Sequence, residues 1–291
     1  MISVVIASKD RERYLRDTLA SLDAQAGAAQ FEVIVVDNGS QDGTRALVES
    51  RAGGDPPVWY VGESQPNRAR ARNRGAAAAR GDYLLFCDDD VRLPVGWVAA
   101  HAAAQRGGEC VVNGPILNVG SPEARPVPRP MNYSRAFLCS CNASVSKRVF
   151  LDAGGFDENF NLYGWEDTEL GLRLRELGVG WKFAWDAYLW HVKLPKENTL
   201  AAESAKAVEK ARMARLFVAK HPSLRARLAT GAYEPNVLRG RYLLPDWLLA
   251  FYAGLATSPR VPDWLSALAR RQALDGIYTR ELARTIDAAE R

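Results

Sequence analysis

Apolar and polar positions change period repeatedly along the first two thirds of the chain. Ile2–Ala7 is an unbroken apolar run, the pattern of a strand covered on both faces. Tyr14, Leu15, Thr18, Leu19 and Leu22 then recur at helical spacing. Phe31–Val36 is a second buried run ending at Asp37, and a helix is expected through Leu47 and Val48. Val58–Val61 is a short third strand. Pro66–Arg80 reads as a helix stopped by Gly81, and Tyr83–Cys87 as a fourth strand ending in Asp88-Asp89-Asp90. A further helix follows over Pro94–Gln105. This alternation predicts an α/β fold: a mostly parallel sheet flanked by helices on both faces, a Rossmann-like nucleotide-binding core.

The middle of the chain is less regular. Asn118–Tyr133 holds four prolines and reads as a loop. Phe137–Val145 is expected as a strand, Ala153-Gly154-Gly155-Phe156-Asp157 as a turn after a short helix, and Trp165–Gly178 as a helix. Trp181–Trp190 is extended and aromatic. Beyond Pro195 only helical patterns occur, the longest over Leu200–Lys220. The expected division is therefore 1–195 for the α/β domain and 196–291 for a helical C-terminal extension, with no internal repeat.

Composition adds limits. Of 291 residues 47% are hydrophobic, enough for a sizeable core. The net charge of +4 is too small to suggest a nucleic-acid partner, but it is unevenly spread. From Pro195 onward 16 Lys and Arg face 10 Asp and Glu, a surplus of 6, which leaves −2 for the rest. A basic tail on a slightly acidic body points to an anionic partner or a membrane surface. Arg239-Gly240-Arg241 before Tyr242–Leu249 fits an interfacial segment at the inner face of a membrane; ordinary helix packing or a homodimer contact fits the same pattern. The four cysteines, Cys87, Cys110, Cys139 and Cys141, lack CxxC or zinc-ribbon spacing and read as reduced thiols of a cytoplasmic protein. The N-terminal run is too short for a signal-peptide core, and no stretch is long and apolar enough to span a membrane.

Candidate chemistry sits where strands end. In a parallel α/β sheet, ligands bind at the carboxyl ends of the strands. Here those ends carry Ala7-Ser8-Lys9-Asp10, Asp37-Asn38-Gly39-Ser40 and Asp88-Asp89-Asp90. Asp37 can accept hydrogen bonds from a base or ribose, or can simply form a turn with Ser40 that caps the next helix. Three adjacent carboxylates repel unless a cation neutralises them, and hard oxygen donors suit Mg²⁺ or Mn²⁺. Arg68, Arg70, Arg72, Arg74 and Arg80 crowd one helix, so one of its faces can meet phosphates while the other is solvated. Glu166 and Asp167 open a helix, where two carboxylates either serve the helix dipole or do acid–base work. Trp165 and Tyr163 can stack on a sugar face or fill a core.

Taken in order, Val4-Val5-Ile6-Ala7, Val35–Ser40, Ala71-Arg72-Asn73-Arg74-Gly75, Phe86–Asp90 and Asn142-Ala143-Ser144 leading to Gly154-Gly155-Phe156-Asp157 resemble family 2 glycosyltransferases. Gly164–Leu170 resembles an acceptor-side motif shared with galactosyltransferase-like enzymes. The resemblance covers roughly residues 2 to 193. It implies a GT-A fold with a nucleotide-sugar half over about 1–118 and an acceptor half over about 119–195. It also implies an inverting, metal-dependent transfer from a nucleotide-diphosphate sugar, a UDP-sugar by default, to a glycan, a lipid-linked or a small-molecule acceptor. By that resemblance Ala7, Asp10, Asp37 and Arg72 line the nucleotide pocket. Asp88 touches ribose or donor sugar, and Asp90 and His191 hold Mn²⁺ or Mg²⁺. Asp167 is the base; beside it, Glu166 is expected to bind acceptor or donor hydroxyls, and Trp165 to stack on a sugar face or fill a core. His101 and His221 have no such context and are expected at the surface or at helix ends.

Rival readings are weaker. A sugar-1-phosphate nucleotidyltransferase needs a Gly-rich phosphate loop after the first strand, and Ser8-Lys9-Asp10-Arg11 has no glycine. A dehydrogenase needs GxGxxG at the same place. A non-catalytic carbohydrate-binding protein has no need of Asp90, Asp167 and His191 together.

Overall fold

The first apolar run forms β1 (Ile2–Ser8), followed by α1 (Glu12–Asp23), whose Leu15, Thr18, Leu19 and Leu22 face inward. Next come β2 (Phe31–Asp37), α2 (Thr44–Glu49), β3 (Val58–Gly62), α3 (Arg68–Ala78), β4 (Tyr83–Cys87), β5 (Val91–Arg92) and α4 (Trp97–Gln105). The middle supplies β6 (Cys110–Asn113), β7 (Ile116–Val119), β8 (Asn142–Ser146), α5 (Lys147–Asp152), α6 (Glu166–Glu176), β9 (Gly180–Phe183) and β10 (Leu189–Val192). The remainder is helical: α7 (Leu200–Lys220), α8 (Leu224–Thr230), α9 (Glu234–Tyr242), α10 (Asp246–Thr257) and α11 (Asp263–Asp287). This computed structural model describes residues 1–25, 30–194 and 199–287.

Two compact units result. One comprises Met1–Asn161 with Glu166–Leu194; the other comprises Leu162–Trp165 with the chain beyond Leu194. The boundary expected at residue 195 falls outside the described residues.

In the α/β unit a seven-stranded sheet runs β3-β2-β1-β4-β8-β6-β9, and a smaller sheet runs β5-β10-β7. The strands β3, β2, β1 and β4 are parallel to one another, while β8 runs antiparallel between β4 and β6. The continuous apolar runs of β1 and β2 follow from this position: helices cover both faces, so no polar alternation is needed. Valines 4, 33 and 35 face one apolar cluster with Leu15 and Leu19, while Val5, Ile34 and Val36 face the other with the alanines of α3. Small residues let α3 lie close. A Cβ on Gly75 would stand 2.4 Å from Cγ1 of Val5, so even alanine forces the helix off the sheet.

Three expectations are corrected here. Phe137–Val145 is not one strand; only Asn142–Ser146 pairs. Before it, the Asn113 side chain donates to the carbonyls of Ala136 and Phe137 and accepts from Cys139 N–H, replacing a ladder with side-chain bonds. Trp181–Trp190 is not one extended piece. A turn, closed by Ala187 N–H donating to Ala184 O at 3.1 Å, sends β9 and β10 into different sheets. His101 is neither surface nor helix end: it is fully buried in mid-α4. Its Nε2 lies 3.0 Å from Asn142 Oδ1 and its Nδ1 3.0 Å from Ser144 Oγ. An amide oxygen can only accept, so Nε2 carries the proton. His221 does end a helix, as the C-cap of α7.

The helical unit packs α7 on α11 through Ala211, Ala214 and Leu282. Side-chain caps start two of its helices: Thr199 accepts from Ala202 N–H and Ser223 from Ala226 N–H.

Candidate active site

Neighbouring strands β1 and β4 have their further partners on opposite sides, β2 and β3 beyond one, β8, β6 and β9 beyond the other. Such a switch point opens a crevice at the carboxyl ends of the strands. The acidic triplet lies there. Ser8 Oγ donates to Asp89 Oδ2 at 2.7 Å. Arg11 reaches both other carboxylate edges: its Nε is 3.2 Å from Asp89 Oδ1 and its Nη2 2.7 Å from Asp90 Oδ2. The hydroxyl of Thr18 sits 2.8 Å from the carbonyl oxygens of Asp89 and Val91, which explains a polar residue on the inner face of α1. Burial pushes the Asp89 carboxyl up to about 7 against the pull of Arg11 and Ser8.

His191 arrives from the smaller sheet. The antiparallel pairing of β10 with β5 sets His191 opposite Val91, and Val192 N–H donates to Asp90 O at 2.9 Å. Nε2 of His191 is then 3.0 Å from Asp90 Oδ1. Burial would raise the Asp90 carboxyl, but the His191 hydrogen bond and charge, with Arg11 and Lys193, leave it below the usual range.

The other wall is built by α3 and α6. Arg72, one of five arginines in that stretch, is the one turned inward; Arg68, Arg74 and Arg80 are exposed, and Arg70 pairs with Glu158 at 2.8 Å. Arg72 Nη2 lies 3.3 Å from Asp88 Oδ1, and Nη1 3.6 Å from Glu166 Oε1. Burial alone would lower the pKa of this guanidinium; Asp167, Asp88 and Glu166 around it raise it instead. Asn73, one residue on, holds the Gly154–Asp157 turn by two bonds of 2.8 Å to Phe156, so that glycine motif is a latch between α3 and the Phe86–Phe150–Phe156 cluster.

Asp167 Oδ2 accepts from Ser140 N–H at 2.8 Å. Burial, then the neighbouring Glu166, pushes its carboxyl up to about 6, against Arg72 and Ser140. Asp167 Oδ1, Glu166 Oε2 and Arg72 Nη1 are buried without hydrogen-bond partners among the described residues. An unsatisfied buried polar atom costs about 1–3 kcal/mol. Several around one guanidinium match a place where a polar ligand completes the bonding.

The segment Cys139-Ser140-Cys141 has no motif in the sequence, yet it lines this pocket. Its middle residue holds Asp167, and Cys141 Sγ lies 3.8 Å from His191 Nδ1. Burial and Asp167 push the Cys139 thiol up to about 12, and burial raises the Cys141 thiol well above its ordinary value, so both are neutral. Ligand atoms of Asp88, Cys141 and His191 lie within 4.8 Å of one another. For a hard cation the carboxylates and imidazole are the fitting donors; a protonated thiol is not. Arg11 and Ser140 are the residues that sequence reading missed. Arg11 had a signal, its place just past the end of the first strand; a backbone N–H has none.

The other expected positions lie at neighbouring strand ends. Ala7 is half-buried near the end of β1. Asp37 uses Oδ1 to accept from Ser40 N–H at 2.8 Å and Oδ2 to accept from Tyr60 OH at 3.0 Å, so the turn with Ser40 exists; Asp42, not Ser40, bonds the first N–H of α2. Asp10, at φ 53°, donates its N–H to Ser40 Oγ at 3.0 Å and accepts from Gln41 N–H at 2.6 Å, tying the two loops together. Trp165 and Tyr163 belong to the helical unit. Trp165 stacks on Phe217 at 5.9 Å and donates Nε1–H to Lys210 O at 2.9 Å.

Fold and site together define an α/β protein with a buried acidic centre at its switch point. The chain belongs to glycosyl transferase family 2, whose model matches residues 3–156. The model for the N-terminal domain of galactosyltransferase matches residues 125–194. Validoxylamine A glucosyltransferase of Streptomyces hygroscopicus subsp. limoneus is 30% identical over 77% of this chain and 57% of its own length. The uncharacterized glycosyltransferase YfnE of Bacillus subtilis (strain 168) is 26% identical over 66% of this chain and 65% of its own. The chain thus spans less than two thirds of these relatives. Among solved structures, the mannosyltransferase PcManGT from Pyrobaculum calidifontis in complex with GDP-Man and Mn²⁺ matches all of this chain and 87% of its own, with a TM-score of 0.64 at 17% identity. S. aureus TarS in complex with UDP-GlcNAc matches 99% of this chain and 92% of its own, with a TM-score of 0.58 at 18% identity. At such identities the likeness establishes the fold, the GT-A architecture with a helical C-terminal region.

Proposed function

We propose that this chain is an inverting, divalent-cation-dependent glycosyltransferase that moves a sugar from a nucleotide diphosphate to an acceptor hydroxyl. The observation that carries the reading is the cluster in which Asp88, Glu166 and Asp167 surround Arg72. Asp90 and His191 would hold Mn²⁺ or Mg²⁺, and the facing pair of a carboxylate oxygen and an imidazole nitrogen suits such an ion. The bound ion supplies Lewis-acid stabilisation of the departing diphosphate.

Every other role falls to side chains. Asp167 takes the acceptor proton through its unpaired Oδ1, while Ser140 N–H fixes the other oxygen. Arg72 offers positive charge to the phosphates. Asp88 meets ribose or donor sugar, and Glu166 a sugar hydroxyl. Ala7, Asp10 and Asp37 border the base and ribose, with a uridine nucleotide as the first choice. The α/β domain is taken as 1–195 and the helical extension as 196–291. Cytoplasmic residence fits four free cysteines. The acceptor is a glycan, lipid-linked or small-molecule hydroxyl.

A panel of nucleotide sugars, scored by hydrolysis and thermal shift with and without Mn²⁺, tests the reading. One nucleotide sugar should stabilise the protein and be turned over only with metal. A panel with no metal-dependent binding or turnover would overturn it.

A further inference from the structure

The helical unit contains a groove of about 950 Å³ that the transferase chemistry does not use. Its walls come from regular helix faces. On α7 the residues at 203, 206, 207 and 210 recur at three and four, and on α11 the series from 267 to 279 does the same. The volume is at the upper end of what ligand sites have, about 300–1,000 Å³.

Its charges do not cancel. Glu203 is taken by Arg270 at 2.7 Å, and Asp275 by Arg239 at 2.6 Å. Lys206, Lys210 and Arg271 have no carboxylate partner among the described residues. Arg239 Nε is buried with no hydrogen-bond partner among them. Both acids of the groove are neutralised and three cations are not, so the complementary ligand is an anion. The lysines also stand over aromatic rings, Lys206 Nζ 5.6 Å from Tyr163 and Lys210 Nζ 5.2 Å from Trp165. Phe217 stacks on Trp165, so that ring is already partnered, whereas Tyr163 is 38% exposed. An exposed aromatic ring beside hydrogen-bond donors suits a carbohydrate ring: C–H groups pack on the ring and hydroxyls meet the polar rim.

We infer that this groove binds an anionic saccharide, a carbohydrate bearing carboxylate or phosphate.

Titration calorimetry on the full chain at low salt tests it, with four probes: trigalacturonate, glucose 1-phosphate, neutral maltotriose and inorganic phosphate. At least one of the first two should bind, maltotriose should not, and binding should weaken as NaCl is raised. Preference for trigalacturonate identifies a carboxylated glycan; preference for glucose 1-phosphate identifies a phosphate-linked sugar. Lys206→Ala with Lys210→Ala, and separately Arg271→Ala, should each weaken that binding by about tenfold, with unchanged melting temperature because these side chains are exposed. Equal binding of maltotriose, equal binding of inorganic phosphate, no binding of either anionic sugar, or affinity unchanged in both variants overturns the inference. Donor hydrolysis by the unaltered protein is measured alongside. Hydrolysis without groove binding refutes the groove alone, and groove binding without hydrolysis refutes the transferase reading alone.

Discussion

Nε2 of His191 lies 3.0 Å from Oδ1 of Asp90, although 100 residues lie between them in the chain, Asp90 in the turn between β4 and β5 and His191 in β10. The other oxygen of Asp90 is held by Arg11, so this carboxylate is fixed from two sides before any ligand arrives.

That pairing predicts metal dependence. Turnover should require Mn²⁺ or Mg²⁺ and disappear with EDTA. Asp90→Asn should weaken the metal-dependent part of donor binding, and His191→Ala should raise the metal concentration for half-activation by about tenfold or more. Full activity of Asp90→Ala without metal removes the assignment, and an unchanged metal titration in His191→Ala returns that histidine to a structural role.

Asp167→Asn keeps the size of the side chain and an acceptor for Ser140 N–H but cannot take a proton. It should lower kcat by about a hundred- to ten-thousand-fold while nucleotide affinity stays nearly intact. Glu166→Gln should raise KM more than it lowers kcat. NMR of the product should show inversion at the anomeric carbon, since one base implies one displacement. Retention of configuration, or wild-type turnover in Asp167→Asn, places the base elsewhere.

The same residue sets a pH limb. Its carboxyl is raised from 3.8 to about 6, and the base is the ionised form, so activity is lost as pH falls. A plot of kcat/KM against pH should decline below about 6, by about tenfold per unit. For stability the sign is opposite: the unfolded chain ionises Asp167 first, so the fold loses stability as pH rises through 3.8 to about 6. Asp167→Asn should therefore raise the melting temperature more at pH 7.5 than at pH 5. A flat activity profile down to pH 5 contradicts this account.

Buried His101 predicts acid sensitivity of the α/β unit. Burial lowers its pKa from 6.5 to about 4, with the Asn142 bond opposing. Stability is fully present above 6.5 and falls as the pH drops to about 4, by on the order of 3 kcal/mol. Chemical denaturation of His101→Gln across that range should show a shallower slope than the parent; an identical slope assigns the acid transition to other groups.

The outer face of α10 and the start of α11 carry Trp247 and Trp264, each 70% exposed, with Phe251, Leu268 and the exposed Arg241 and Arg260 nearby in sequence. Among the described residues no helix is long and apolar enough to cross a membrane. This face is expected to rest on an anionic membrane surface. Flotation with phosphatidylglycerol vesicles should carry the protein at low salt and release it at high salt, and Trp247→Ala with Trp264→Ala should abolish it. No flotation, with dimerisation lost in the same double variant, would make the face a homodimer contact instead.

Several elements were legible because their cause is local or periodic. The buried strands from Ile2 and Phe31 announce themselves as unbroken apolar runs, since a strand covered on both faces has no polar side to show. The long helix Leu200–Lys220 and the acidic end of the strand at Cys87 are equally local. Ordered motifs pointed to the family. What the chain could not reveal depended on partners distant in sequence. Phe137–Cys141 has strand-like composition, but Asn113 takes its backbone bonds; His101 looks like an ordinary helix residue until Asn142 and Ser144 close over it. Of five arginines in one stretch, only the packing of α3 on the sheet turns Arg72 inward. Arg11 and the Ser140 N–H became part of the site because the third dimension brought them to Asp90 and Asp167. Periodicity records which face of an element is buried, and the polar bonds that orient a buried carboxylate leave no period.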